Sequence, residues 1–382
     1  MLYRKLGRTN IMVSEIALGC EGLAKKSDHE VKEFVDQAME QGINFIDFYS
    51  PNPDMRTKFG KAIANNRDKW IIEGHLCSYW KNDQYLRTRK IDEVKAGFED
   101  MLQRFQTDYI DIGMIHYIDQ QKDFETVFNG PIIKYALELK EKGVIRHIGI
   151  SSHNPLIAIE AVKTGLVDVI LFSITPCYDL LPPSENVNDL WDDEKYKQPL
   201  FNIDPVRQNL YELCQKEGVA ITVMKAFGGG DLLDEKLSPF KVALTPLQCI
   251  HYCLTRPGVV SVMAGCHNCE ELMTNLAYES ADTKDKDFAE VLANVPKHSF
   301  KGNCVYCGHC APCVKGINVA EVNKYTDLCK AQNEVPETVR EHYKALKHHA
   351  SECIACGLCE KNCPFEVEII KKMQEAVKIF GY

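Results

Sequence analysis

Two runs, YIDIGMIH at residues 109–116 and VIRHIGI at residues 144–150, are short, apolar and rich in branched side chains, with an amphipathic stretch between them. A strand covered on both faces reads as such a continuous apolar run, and an intervening helical pattern places two of them side by side in a parallel sheet. The same unit recurs outward in both directions, with candidate strands at 14–19, 44–48, 70–75, 167–173, 219–225 and 259–265. Eight strand-helix units within about 270 residues predict a closed (β/α)8 barrel rather than an open doubly wound sheet. No GxGxxG follows the first strand, which counts against a dinucleotide-binding Rossmann unit.

Helical patterns such as HEVKEFVDQAMEQG (29–42) and DPVRQNLYELCQKEG (204–218) each close on a glycine suited to a left-handed C-terminal cap. The connection from Cys177 to Ile203 is longer than usual; it is expected to cover the barrel mouth or to be a solvated excursion. GGGDLL after the seventh strand is read as a loop approaching a ligand or as a plain turn. With 45% hydrophobic and 26% charged residues the chain has the balance of a folded globular protein. A net charge of -9 without a basic stripe argues against nucleic acid. The opening MLYRKLGRTNIMVSE lacks a signal-peptide core, and no stretch reaches roughly 18 apolar residues, so a cytoplasmic protein without membrane contact is expected.

After residue 280 the composition changes, and nine of the seventeen cysteines lie beyond it. A barrel over 1–280 followed by a small, mainly helical module over 281–382 is the expected organisation. The first run, CVYCGHCAPC, holds Cys304, Cys307, Cys310 and Cys313. The second, CIACGLCEKNCP, holds Cys353, Cys356, Cys359 and Cys363 and fits the ferredoxin spacing Cys-x2-Cys-x2-Cys-x3-Cys-Pro. Gly308 and Gly357 allow the tight loops that three converging thiolates need. In two-cluster ferredoxins the fourth cysteine of each run serves the other cluster, so Cys363 should complete the first 4Fe-4S site and Cys313 the second. Two structural zinc sites would use the same eight thiols by number; the third closely spaced cysteine in each run favours clusters. Two helices are expected between Val319 and His349, with Cys329 a buried thiol.

YRKLGRTNIMVSEIALGC, NFIDFY, DYIDIGMIH, IRHIGISSHNP and VMAGCHNCEELMTNLA resemble the aldo-keto reductases, and the order of barrel then paired cluster motifs resembles their iron-sulfur-containing subgroup across nearly the whole chain. The resemblance implies NADP(H) across the barrel mouth and a tyrosine acid flanked by aspartate, lysine and histidine. It assigns the aspartate to Asp47 and the histidine to His116. Asn52 stands at the tyrosine position and His75 at that of the lysine. Tyr49, Tyr79 or Tyr117 could supply the missing phenol, and His75 and His116 are suited to proton transfer near neutral pH. For the cofactor it implies Ser151, Ser152 and Asn275, while Leu171 replaces a glutamine and Glu271 the arginine of the 2′-phosphate site, where a carboxylate would repel the phosphate.

The expected function is an iron-sulfur oxidoreductase that couples electron transfer through two clusters to reduction or oxidation of a small organic molecule, with ferredoxin or flavodoxin as electron donor and an anaerobic setting. The alternatives are an NADPH-dependent carbonyl reductase with structural clusters and an electron carrier whose barrel has lost activity. Cys20, Cys77, Cys177, Cys266 and Cys269 all follow strands on the same rim, so an additional metal or cluster at the mouth is a further expectation.

Overall fold

The computed structural model describes residues 1–197, 200–293, 298–299, 302–332 and 335–382. Eight parallel strands close a barrel in sequence order: β1 (Ile16–Gly19), β2 (Phe45–Phe48), β3 (Ile71–Leu76), β4 (Ile110–Ile115), β5 (Ile145–Ser152), β6 (Val169–Ser173), β7 (Ala220–Met224) and β8 (Val259–Ala264). The Val262↔Ile16 register of β8 on β1 completes the ring. All eight coincide with the branched runs of the sequence, because only strands buried on both faces need such runs. A hairpin of Tyr3–Lys5 and Met12–Ser14 plugs one end. Its Leu6 and Val13 neighbours pack with Phe45, Val169 and Ala220, the first residues of their strands.

That plug leaves the opposite end, where the strands terminate, as the open one. Helix Asp28–Glu40 starts at a Ser27/Glu30 capping box, and helix Pro205–Glu217 stops at Gly218, whose φ of 65° supplies the left-handed cap. The connection after β6 forms short turns, Tyr178–Leu180, Val187–Trp191 and Asp193–Tyr196, and places Val187, Asn188 and Trp191 over the mouth. Gly228, Gly229 and Gly230 after β7 all take positive φ, and the last two line the same space. A second hairpin, Ser78–Lys81 with Gln84–Arg87, is inserted after β3.

The C-terminal module is helical, with Val319–Gln332, Glu337–Lys344 and Ile369–Phe380 as its main elements. The first two fill the stretch in which two helices were expected. Leu328, Val339, Met373 and Ala376 form its core, and Tyr343 stacks on Phe380 with ring centroids 3.8 Å apart. Cys329 is buried there, its thiol pushed up to about 11 by burial. The module docks on helices Pro205–Glu217 and Pro246–Leu254. Buried Arg256 lies over the Tyr252 and Tyr306 rings and donates to the Val305 carbonyl, between the first two cysteines of the first run. No helix among the described residues is long and apolar enough to cross a membrane.

Candidate functional sites at the barrel mouth and in the cysteine module

Asp47, His75, His116 and Ser151 sit at or just beyond the ends of β2, β3, β4 and β5, and all four line a mouth cavity of about 860 Å³. The Asp47 carboxylate Oδ1 lies 2.7 Å from His75 Nε2, and His75 Nδ1 lies 2.7 Å from His116 Nδ1. His116 Nε2 in turn lies 2.7 Å from the hydroxyl of Tyr85. With Asp47 ionised, this geometry fixes every proton: His75 donates from Nε2, His116 donates from Nδ1 to the bare His75 Nδ1, and the Tyr85 hydroxyl donates to His116 Nε2. Burial, then the neighbouring His75 and Arg89, hold His116 well below the usual histidine range, which keeps it neutral near pH 7.

Below this line lies Glu73, fully buried in the barrel and accepting a hydrogen bond from Thr222 at 3.0 Å. Burial and then Asp47 push its carboxyl well above the usual range, which favours its neutral form. On the other side of the cavity Asp119 is buried against His153, with Oδ2 2.9 Å from Nδ1. His153 Nε2 therefore accepts from Lys225 Nζ at 3.3 Å, and Lys225 is held below its ordinary value by burial. Lys225 itself has a φ of 60°, a left-handed backbone that turns the chain after β7 toward the glycines.

The remaining expected residues divide. Tyr49 lines the cavity, stacks parallel to His116 at 5.9 Å and donates to Glu21 at 2.9 Å. Tyr117 also lines it, whereas Tyr79 is not part of its lining and pairs with Leu86 in the hairpin. Asn52 is the N-cap of helix Pro53–Ile63, accepting from Met55 N at 3.1 Å, a role a tyrosine could not fill. Ser151 accepts from Tyr117 N. Ser152 is a correction: it is fully buried and its hydroxyl donates to Asp119, so it faces away from the mouth. Asn275 is 3% exposed and donates to the Gly265 carbonyl at 3.3 Å, supporting the rim from behind. Leu171 and Glu271 line the cavity, and Glu271 accepts from His267 N and from Asn268.

The rim cysteines are a second correction. Cys20 and Cys266 line the cavity, but Cys177 is turned to the Thr175 hydroxyl at 3.0 Å, Cys77 is buried against Arg89, and Cys269 lies outside the lining. Following a strand end does not fix the direction of a side chain: of the five, only Cys20 and Cys266 reach the cavity.

Sequence reasoning missed Tyr85 and the Asp119–His153–Lys225 group. The hairpin was legible in SYWKNDQYLR (78–87): Asn82 and Asp83 take φ of 53° and 59°, the two-residue turn that joins twisted antiparallel strands.

In the module, Cys304, Cys307 and Cys310 line one cavity together with Cys363, beside Asn323, Phe365 and Val367. Cys353, Cys356 and Cys359 line another with Cys313, beside Ile317, Ile354 and Met373. The two loops repeat one backbone: Tyr306 and Ala355 have φ of 57° and 52°, and Gly308 and Gly357 have 86° and 76°. Asn323 donates to Cys304 Sγ and Ala355 N to Cys353 Sγ, each at 3.4 Å. Burial pushes the Cys307 and Cys310 thiols up to about 12, and a bound cation would favour their thiolate forms. Four sulfurs, apolar walls and N–H donors to sulfur are the donor set of a 4Fe-4S cluster.

The Aldo/keto reductase family description matches residues 15–243, and the 4Fe-4S binding domain description matches residues 346–367. The chain is 26% identical over 294 residues to "Uncharacterized oxidoreductase YqkF" of Bacillus subtilis, covering 74% of this chain and 92% of that one. It is 30% identical over 189 residues to "Aldo-keto reductase YhdN" of the same organism, 47% and 54% of the two chains. Among solved structures, the holo form of aldo-keto reductase AKR11C1 from Bacillus halodurans superposes with a TM-score of 0.58 at 22% identity, covering 75% of this chain and 94% of that one.

Proposed function

The chain belongs to the aldo/keto reductase family and carries a 4Fe-4S binding domain, and on that premise we propose that it is an iron-sulfur oxidoreductase joining two clusters to a substrate site at the barrel mouth. The reading rests on one observation above others: two separate cavities of the module, each lined by four cysteines, three from one run and the fourth from the other. In this reading residues 1–280 are the barrel and residues 281–382 the cluster module. Cys304, Cys307, Cys310 and Cys363 hold the first cluster, and Cys353, Cys356, Cys359 and Cys313 the second. The clusters supply electrons one at a time. Cys356 is exposed, whereas Cys310 is buried and Val305 of the first loop is bonded to Arg256. A small carrier protein such as ferredoxin or flavodoxin would therefore meet the second site, and the first faces the barrel.

At the mouth the substrate is a small carbonyl compound or another reducible organic molecule. Asp47 orients His75, and the hydrogen-bonded His75 and His116 form a path along which a proton can be held and passed beside it. Tyr49 supports the His116 ring by stacking. Ser151 stands where the family resemblance puts a contact to the nicotinamide amide and Asn275 where it puts one to the adenine, but the mouth does not fit the 2′-phosphate of NADP(H): Glu271 presents a carboxylate to the cavity, and Ser152 and Asn275 are spent internally.

The test is iron and acid-labile sulfide content of anaerobically purified protein, with fluorescence titration of NADPH and NADH. About eight iron and eight sulfide per chain, with no tight NADPH binding, is the expected result. Zinc without sulfide, or about four iron, would overturn the two-cluster reading.

A further inference from the structure

We propose that Tyr85, carried by the inserted hairpin, is the catalytic acid of the mouth, and that Asp47, His75 and His116 form the wire that recharges it; this rests on the mouth being the redox site. The hydroxyl of Tyr85 is the outer end of a continuous line of four groups whose links are each 2.7 Å long. It lines the mouth cavity, and its residue is 46% exposed, so a bound molecule can reach it. The other phenols are engaged elsewhere: Tyr49 donates to Glu21, and Tyr117 meets the His153 ring at 5.2 Å.

The hairpin is built to hold this hydroxyl in place. Trp80↔Tyr85 and Ser78↔Arg87 fix its register, and Ser78 donates to the Tyr49 carbonyl at 2.6 Å. Lys81 and Thr88 both bond Glu93 on helix Ile91–Phe105. Arg87 and Arg89, at the hairpin's end, donate to the Tyr117 carbonyl, and Arg89 also to that of His116. Burial keeps the phenol protonated at neutral pH, while these two guanidiniums favour the phenolate that forms as its proton leaves.

The proton count closes. In the charged state His75 is an imidazolium on Asp47, His116 carries its proton on Nε2 and donates to the Tyr85 oxygen, and the Tyr85 O–H faces the substrate. The Tyr85 O–H bond breaks as the substrate O–H bond forms; the His116 Nε2 proton moves to Tyr85 and the His75 Nδ1 proton moves to His116 Nδ1. The end state is the arrangement of protons that the structure fixes: neutral His75 and His116, with Tyr85 donating inward. One proton has reached the substrate oxygen and none has been created; the two electrons of a carbonyl reduction come from an external one-electron donor such as reduced methyl viologen, and the proton of the new C–H bond comes from solvent. The groups facing this line are Glu73 and Lys225 at Asp47, and Tyr49, Arg87, Arg89 and His153 at His116.

The experiment uses the full, cluster-loaded chain with dithionite-reduced methyl viologen as electron source and benzaldehyde as probe. Tyr85→Phe should lower kcat about 100-fold or more with KM little changed and the cluster EPR signal intact, while Tyr79→Phe in the same hairpin stays at the wild-type rate. A readout independent of turnover is the ¹⁵N NMR signature of His116: wild type holds its proton on Nδ1 with Nε2 accepting from Tyr85, and Tyr85→Phe leaves the Nδ1 proton in place but takes the donor from Nε2, whose ¹⁵N signal moves downfield. If kcat stays within about twofold, the proposal is overturned. Should wild type reduce no probe, the redox reading fails, and the Nε2 signal decides the link alone: an Nε2 shift that is the same in wild type and Tyr85→Phe overturns it, and a downfield move sustains it.

Discussion

The mouth and the cysteine module bury reactive groups in opposite ways. At the mouth the buried polar groups answer one another: Asp47, His75, His116 and Tyr85 come from four segments and each hydrogen bond fixes the next. In the module the thiols stand around apolar-walled cavities, with Cys307 and Cys310 pushed up by burial and only isolated N–H donors near the sulfurs. The first arrangement is complete as a set of protons, the second only with bound iron. Removing one mouth residue should therefore alter chemistry without unfolding, whereas removing one cysteine should alter composition.

The sharpest way to separate the two regions is Asp47→Asn. It preserves shape but not the orientation of His75, so kcat should fall about 10²–10⁴-fold while iron and sulfide stay at wild-type levels. Loss of iron in this variant would break the comparison. Next in size, on the proposed crossed ligation Cys363→Ser should deplete the cluster assigned to Cys304, Cys307 and Cys310 and leave about half the iron. Cys313→Ser should do the reverse, and EPR of the two variants must show complementary residual signals. Identical residual signals would mean uncrossed ligation.

The smallest effect lies where the regions meet. Glu212 on helix Pro205–Glu217 is pushed up to about 7, first by burial and then by Asp327 of the module, against hydrogen bonding from Gln208 and the charge of Lys372. Because its folded value lies above the unfolded one of about 4.3, the stability it contributes is full below pH 4 and is lost as pH rises through about 7. Thermal unfolding should weaken between pH 5 and pH 8 by on the order of 2 kcal/mol, and Glu212→Gln should flatten that slope.

The strands were legible because double burial leaves a direct mark: YIDIGMIH and VIRHIGI could be little else between helical patterns. The cysteine runs were legible because their spacing is a property of single loops, and the repeated backbone at Tyr306–Gly308 and Ala355–Gly357 is local too. Asp47 and His116 were located by family resemblance. Asn52 stood as a gap in that pattern until its capping bond to Met55 was seen. The rim cysteines misled because position after a strand says nothing about side-chain direction, and Ser152 failed for the same reason, with one strand residue's difference turning it from the cavity to Asp119.

What the sequence determined by itself was therefore everything written in short-range periodicity: eight strands, their helices, and two loops fit for iron. Only the tertiary structure decided which groups meet. Tyr85 reaches His116 because a two-residue turn folds Gln84–Arg87 back over β4, and Cys363 lies with Cys304 because helices Val319–Gln332 and Ile369–Phe380 pack together. Contacts between segments far apart in the chain depend on register and packing direction, and no local pattern carries either.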